Sequence, residues 1–317
     1  MNFHTHIIRT FALTTFILGL VALANWYIDP YGYWGRLPFG TYQDGTFRDL
    51  KARVISRGNY KTLLFGASTT VGTDPDSISG CNIYNAAFNG QRPTEILYIM
   101  RNFVTDDTKT IIIAFDFFFF NQATEAEYIN PNFGKYSLKD ILAYTVSSTT
   151  IKQSHYTLRE WRRIKNGTRK IGSAINPNGQ REAKSIIEAD AARTEYDFAK
   201  EIKWFHQGFL NNYNLSSTQT RALSAIKEEA ANKGIKLVVA INPLSEFMFS
   251  YIHEKEMGKD FAQFRALVKS VFPEVIDLSQ SEFSNNLGFL KNDPVHFHPD
   301  TGAAVLKHIT AQSKACS

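Results

Sequence analysis

Residues Thr110–Phe120 read TIIIAFDFFFF, with Asp116 as the only charge. A segment this apolar has no polar face to turn to water. As a strand it must be covered on both sides. Shorter runs of the same kind lie at Lys61–Phe65 (KTLLF), Asn82–Ala87, Ile235–Ile241 (IKLVVAI) and Val275–Leu278. Helical patterning fills the intervals: Gln91–Phe103 with Pro93 in its first turn, Ser217–Lys233 stopped by Gly234, Phe261–Val271 and Asp300–Gln312. Buried strands alternating with helices predict an α/β fold, with a mostly parallel sheet of about five strands covered on both faces. A chain of 317 residues can bury a large core, and 44% hydrophobic with 21% charged residues excludes a disordered one.

The N-terminus predicts a membrane segment. From Ile7 to Ile28 the only charge is Arg9, and Thr10–Ala24 is charge-free. Arg9, the free amine and two histidines precede the run, which keeps that end in the cytoplasm. Apolar and interfacial residues continue through Trp26, Tyr27 and Ile28, enough for the roughly 20 residues that cross a hydrocarbon core. An uncleaved anchor over 1–28 is therefore expected, associating with the lipid bilayer. A signal peptide cleaved after Ala22-Leu23-Ala24 is the alternative. Either outcome places the remaining chain outside the cytoplasmic membrane, in the periplasm or extracellular space. A membrane-proximal segment follows over 29–60, a loop to about 45 and then a helix around Thr46–Ser56. The α/β domain spans 61–317 and is interrupted by a helical, polar insertion at about 122–216.

Within that insertion, Ile151–Lys184 carries nine Lys or Arg against Glu160 and Glu182. Such a cluster is a solvated face, or a surface that attracts an anionic glycan or lipid headgroups. Nucleic acid is not an expected partner outside the cytoplasm. The two cysteines, Cys81 and Cys316, rule out a disulfide scaffold and paired-cysteine zinc sites. The expectation is a buried free thiol and a frayed terminal one; the alternative is a single bridge tying the C-terminal tail to the sheet.

Two segments point to chemistry. Gly66-Ala67-Ser68 ends the first strand, and a Ser in a strand-to-helix turn stands at the carboxyl edge of a parallel sheet, where ligands of such folds bind. N–H groups at the helix start can then stabilise an oxyanion. The competing role for Ser68 is an N-cap. Asp293-Pro-Val-His296, in a loop leading into the last helix, supplies what a nucleophilic hydroxyl needs, an imidazole base and a carboxylate to fix its tautomer. His298 reads as a capping or surface histidine. No further ligand set joins Asp293, His296 and His298, so neither a metal nor a cofactor is expected.

G-A-S at the first strand, Asn85–Gly90 (NAAFNG) after the second, and D-P-V-H before the last helix resemble the blocks of SGNH/GDSL-type hydrolases. The resemblance runs from about Lys61 to Gln312, interrupted by the insertion. The box Asp29-Pro30-Tyr31-Gly32 and the strand ending Phe115–Asn121 (FDFFFFN) are similar to a membrane-anchored branch of such proteins, associated with acylation of cell-surface polysaccharides. This resemblance implies a three-layer α/β/α sandwich of the SGNH-hydrolase or flavodoxin-like kind. It also implies Ser68 as nucleophile, His296 as base and Asp293 as the group that orients it. The Gly90 N–H would be an oxyanion donor, with Asn85 or Asn89 shaping its loop. One departure is Asp116, where the family's third block carries an Asn that donates to the oxyanion. A carboxylate there repels rather than donates unless protonated, so either Asn121 or another group substitutes, or esterase activity is weak. Otherwise Asp116 is a hydrogen-bonded core residue.

The function so implied is O-acyl transfer to a cell-envelope glycan, or ester hydrolysis on it, often beside a polytopic acyltransferase partner in the membrane, with a cell-surface glycan or an acyl donor as ligand. The alternatives are a lipase or esterase with water as acceptor, and a non-catalytic glycan-binding or scaffold protein.

Overall fold

The computed structural model describes residues 3–34, 38–39, 47–124, 134–135, 137–166, 175–192, 195–291 and 293–316. Contacts divide the chain into two compact units, the described residues of Met1–Arg53 with Asn132–Pro177, and those of Val54–Pro131 with Asn178–Ser317. Of the stretch 122–216, expected as an insertion, the described residues of 132–177 belong to the first unit and the other described residues to the second. Part of the predicted basic cluster, 167–174, lies outside the described residues.

The first unit is helical: α1 Phe3–Ile28, α2 Phe47–Ile55 (its last residues beyond the unit), α4 Leu138–Val146 and α5 Ser148–Lys165. α1 is long and apolar enough to cross a membrane, with a mean hydropathy of 2.0 over its best window. Its last turn is different in character. Asn25 is fully buried, donating to the Thr145 carbonyl (2.9 Å) and accepting from the Ser154 hydroxyl (2.9 Å). Asp29, also fully buried, accepts from the Trp34 N–H (3.0 Å) and the Tyr144 hydroxyl (3.0 Å). Arg53 donates to the carbonyls of Gly32 (2.9 Å) and Tyr31 (2.7 Å). A buried polar group without such partners costs several kcal/mol. These long-range bonds, invisible to local patterning, are why 138–165 belong with the N-terminal segment. The D-P-Y-G box is the knot that ties α1 to α2 and α4.

The second unit is built on a parallel sheet of order β2-β1-β3-β4-β5, with β1 Thr62–Gly66, β2 Ile83–Asn85, β3 Thr110–Phe115, β4 Lys236–Ile241 and β5 Ile276–Asp277. Each expected strand is present, but β3 stops five residues short of Phe120. The register explains the early end. Ala114 pairs with Gly66 and Phe115 with Ile241, the last residues of the flanking strands. Beyond Phe115 the backbone has no ladder partner, so Phe117–Phe120 closes into a buried 3₁₀ turn. The four rings are core: Phe117 stacks on Tyr213 (4.2 Å), and Phe118 meets Phe205 edge-on (4.6 Å).

Helices α3 Pro93–Asn102, α8 Ser217–Asn232 and α10 Gly258–Val271 pack in sequence, α3 on α8 and α8 on α10. α11 Pro299–Ser313 buries Val305, Leu306 and Ile309 against Leu64, Ile83, Ile112 and Val238. Each such side chain contributes roughly 1.5–3 kcal/mol by leaving water. Between β4 and β5 also lies α9 Glu246–Glu254, and before α8 come α6 Ala183–Ala191 and α7 Glu195–Phe205. The segment before α11, expected as a loop, is an antiparallel pair, β6 Phe289–Leu290 with β7 Asp293–Phe297. Pro294 hides it from sequence reading, since proline is tolerated in a strand only where a ladder bond is not needed.

Cys81 and Cys316 are joined, their Cα atoms 5.5 Å apart, which corrects the expectation of two free thiols. The tail is held along the amino edge of the sheet, where Thr110 donates to Ala315 O (3.3 Å) and Lys236 to Lys314 O (2.8 Å). The bond closes a sequence separation of 235 residues. Replacing both cysteines with Ser is expected to lower unfolding free energy by about 2–4 kcal/mol. Urea titration would show this as an earlier midpoint, matched by adding reductant to the unaltered protein.

Candidate active site

β1 delivers Ser68 into a tight turn, not onto a helix. Thr70 N–H donates to Ala67 O (3.0 Å) and Thr73 N–H to Thr70 O (3.0 Å), and the next helical piece is the short 3₁₀ turn Pro75–Ser77. The expected strand–turn–helix is therefore corrected: no helix start follows Ser68, and the serine is not an N-cap. The cause is local. Thr69, Thr70 and Val71 are β-branched and Gly72 follows, a poor helix sequence. Asn85 then captures the loop, its amide donating to the carbonyls of Thr70 (3.0 Å) and Thr73 (2.9 Å). Gly66 permits the tight turn, because a Cβ there would lie 2.7 Å from the Cβ of Thr70.

β7 brings the acid–base pair. Asp293 is buried, and its Oδ2 lies 2.7 Å from His296 Nδ1 while Oδ1 accepts from the N–H groups of Val295 (3.2 Å) and His296 (3.3 Å). Ser245, just beyond β4, fixes the strand by donating to Pro294 O (2.6 Å). Gly302 lets the first turn of α11 settle on the serine loop, since a Cβ there would come 2.7 Å from Thr73 Oγ1. Ser68, Asp293 and His296 consequently line one cavity of about 110 Å³, together with Arg181, Glu201 and Ile186. His298 also lines the cavity and is the N-cap of α11, accepting from Asp300 N–H (3.4 Å).

The electrostatics favour a protonatable imidazole. Burial pulls the His296 pKa down, but the Asp293 carboxylate and then that of Asp116 outweigh it, with Arg181 opposing them. The net displacement is upward from 6.5. Asp116 itself is pushed up to about 6, chiefly by burial, and is held back by hydrogen bonds from Thr69 and Asn242.

The other expected site residues are placed elsewhere or differently. Gly90, Asn85, Asn89, Asp116 and Asn121 do not line this cavity. Asn89 is exposed, and Gly90 forms the left-handed position (φ 69°) of the turn before α3. Asn85 holds the serine loop as described. Asn121 is a buried structural amide, donating to Phe209 O (3.0 Å) and accepting from Asn214 N–H (3.2 Å). Asp116 stands directly behind the serine loop, where it accepts from the Thr69 hydroxyl (2.7 Å) and from Asn242 Nδ2 (3.0 Å).

Thr69, Asn242 and Arg181 join the site without having been singled out. A polar residue closing an apolar strand, as in Ile241-Asn242, was the available signal for Asn242. Arg181 had none. It reaches the cavity because its N–H donates to Val71 O (2.8 Å) and its neighbour Gln180 donates to Gly72 O (3.0 Å).

Asp116 accepts two hydrogen bonds through two oxygens, and an amide keeps only one acceptor. Asp116→Asn is thus expected to lower stability by about 1–3 kcal/mol, the cost of a mismatched buried donor, without raising ester turnover. A thermal melt and an acetyl-ester assay on the same sample check both parts. Faster turnover would instead give position 116 an oxyanion role.

No family model matches the chain, and no curated protein matches it.

Proposed function

We propose that the protein is a membrane-anchored, extracytoplasmic serine O-acyltransferase or esterase acting on a cell-envelope polysaccharide. The observation that carries this reading is the convergence of Ser68 with the Asp293–His296 pair on one cavity. The serine leaves the carboxyl end of β1, beside β3, where the strand order reverses and ligands of such sheets bind. Asp293 accepts a hydrogen bond from the Nδ1–H group, which keeps the proton on Nδ1 and leaves Nε2 to take the proton of Ser68. The serine oxygen attacks the acyl carbonyl, and backbone N–H groups of the serine turn stabilise the oxyanion. His296 gives that proton to the departing alcohol, which leaves an acyl-serine. The neutral imidazole then deprotonates the sugar hydroxyl, or water, that attacks the acyl carbonyl, and returns the proton to Ser68 as the acyl–serine bond breaks. The sheet order, with α11 packed on one face and the α3–α8–α10 series following from right-handed crossovers on the other, supports a three-layer sandwich and the SGNH-type resemblance. A polytopic acyltransferase in the membrane would supply the acyl donor.

Location rests on three supports. α1 is long and apolar enough to cross a bilayer. The Cys81–Cys316 bond belongs to an oxidising compartment. Finally, cleavage after Ala24 would leave a charged amine on fully buried Asn25, which favours the anchor over a signal peptide.

A second reading, a non-catalytic glycan-binding or scaffold protein, is favoured by one observation: the expected donors Gly90 and Asn121 do not line the cavity. Incubating the purified protein with an acetyl ester, with and without a polysaccharide acceptor, separates these outcomes. Acyl groups on the glycan support transfer, free acid alone supports the lipase or esterase alternative, and no turnover supports the scaffold.

A further inference from the structure

We propose that α4 is a second membrane-contacting element, lying along the headgroup–acyl boundary of the bilayer with Leu138, Leu142 and Val146 dipped into it. This inference rests on the reading of α1 as a membrane span. The three residues recur every fourth position of one helix, so they share a face. They are 79%, 65% and 44% exposed. An outward apolar stripe on a helix of a water-surrounded protein is costly, and such stripes mark contact surfaces. The opposite side of α4 is spent inward, where Tyr144 is buried, bonded to Asp29 and stacked on Tyr33 (4.0 Å). The stripe is therefore surplus to the folding of its own unit.

What covers it follows from where α4 is attached. It packs on α1, and the bonds that join them involve Asn25, in the last turn of the apolar helix, and Asp29, just beyond its end. At a rise of about 1.5 Å per residue, roughly 20 residues of α1 ending near Trp26 fill a hydrocarbon core of about 30 Å. Trp26 and Tyr27 thus stand at the membrane–water boundary, and α4 is fastened at that level. The aromatic surroundings agree. Phe39 contacts both Tyr27 (5.8 Å) and Trp161 of α5 (5.2 Å), and the Lys165 ammonium lies over the Trp161 ring (5.2 Å). Aromatic rings with a lysine beside them suit the headgroup layer. The exposed apolar residues of α1 and the α4 stripe thus belong to elements packed on each other, the stripe fastened at the level where α1 leaves the hydrocarbon core, and a bilayer is the occupant that covers both.

The test uses the full chain in vesicles of phosphatidylcholine and phosphatidylglycerol. Since the native cysteines are bonded to each other, a thiol introduced by Leu142→Cys, and separately by Val146→Cys, takes a polarity-sensitive fluorophore selectively. Leu18→Cys in α1 serves as the reference for the span itself. The expected result is blue-shifted emission at 142 and 146, quenched at least twofold more by a nitroxide near the headgroup than by one deep in the acyl chain. Leu18 should show the opposite order. Water-like, unquenched emission at 142 and 146 with a quenched Leu18 would overturn the role of α4 and leave α1 as a span. An unquenched Leu18 would overturn the span and the inference together. Blue-shifted emission that no lipid nitroxide reaches would assign the stripe to a protein partner or a second copy, which also contradicts the proposal.

Discussion

Ser68→Ala is expected to abolish acyl transfer and hydrolysis almost completely, by a factor on the order of 10⁶ where residues of this kind act together. His296→Ala should cost nearly as much. The double variant should be little worse than either alone, because a serine without its base and a base without its serine are equally idle. Additive losses would mean that the two side chains act on different steps, contrary to their placement on one cavity. Both variants should retain the fold, since Ser68 is half-buried in a turn held by other residues, among them Asn85 and Gly66.

Asp293→Asn should lower turnover by about 10⁴-fold while the protein still folds, because the amide would donate to Nδ1 and turn the imidazole into the wrong tautomer. The pH profile adds a sign to the test. Only neutral His296 can act as base, so kcat/KM should rise with pH as the imidazolium loses its proton. Burial alone would put that transition below 6.5, but Asp293 and Asp116 together place it above. Removing the carboxylate at 293 should therefore shift the transition to lower pH as well as reduce the plateau. A profile centred below the ordinary imidazole value in the unaltered protein would mean that desolvation, not the carboxylates, controls the base.

Much of the sheet was legible because a strand buried on both faces leaves an uninterrupted apolar run, as in Thr110–Phe115 and Lys236–Ile241. Its limits were not. The turn at Phe117 depends on where β1 and β4 end, and four phenylalanines read alike as strand or as buried turn. Ser68 was legible because it follows an apolar strand and Gly66-Ala67, and Asp293 and His296 because an Asp three residues before a His is a chemically distinctive pair, although the strand β7 that carries them was not. Asn85 was expected, but as part of a different loop, and Asn242 had only its place after an apolar strand as a signal. Arg181 acts through contacts between distant segments, and side-chain periodicity carries no trace of those. The same holds for the bond between Cys81 and Cys316, and for Asn25, whose partners Thr145 and Ser154 assign 138–165 to the N-terminal unit.

A fluorophosphonate probe bonds only to an activated hydroxyl, so it reports whether Ser68 is a nucleophile activated by His296. Intact-mass measurement followed by peptide mapping should find one probe per chain, on the peptide that contains Ser68. Labelling should vanish in Ser68→Ala and fall strongly in His296→Ala. A folded protein that takes up no probe, or one labelled equally well in Ser68→Ala, would contradict the account.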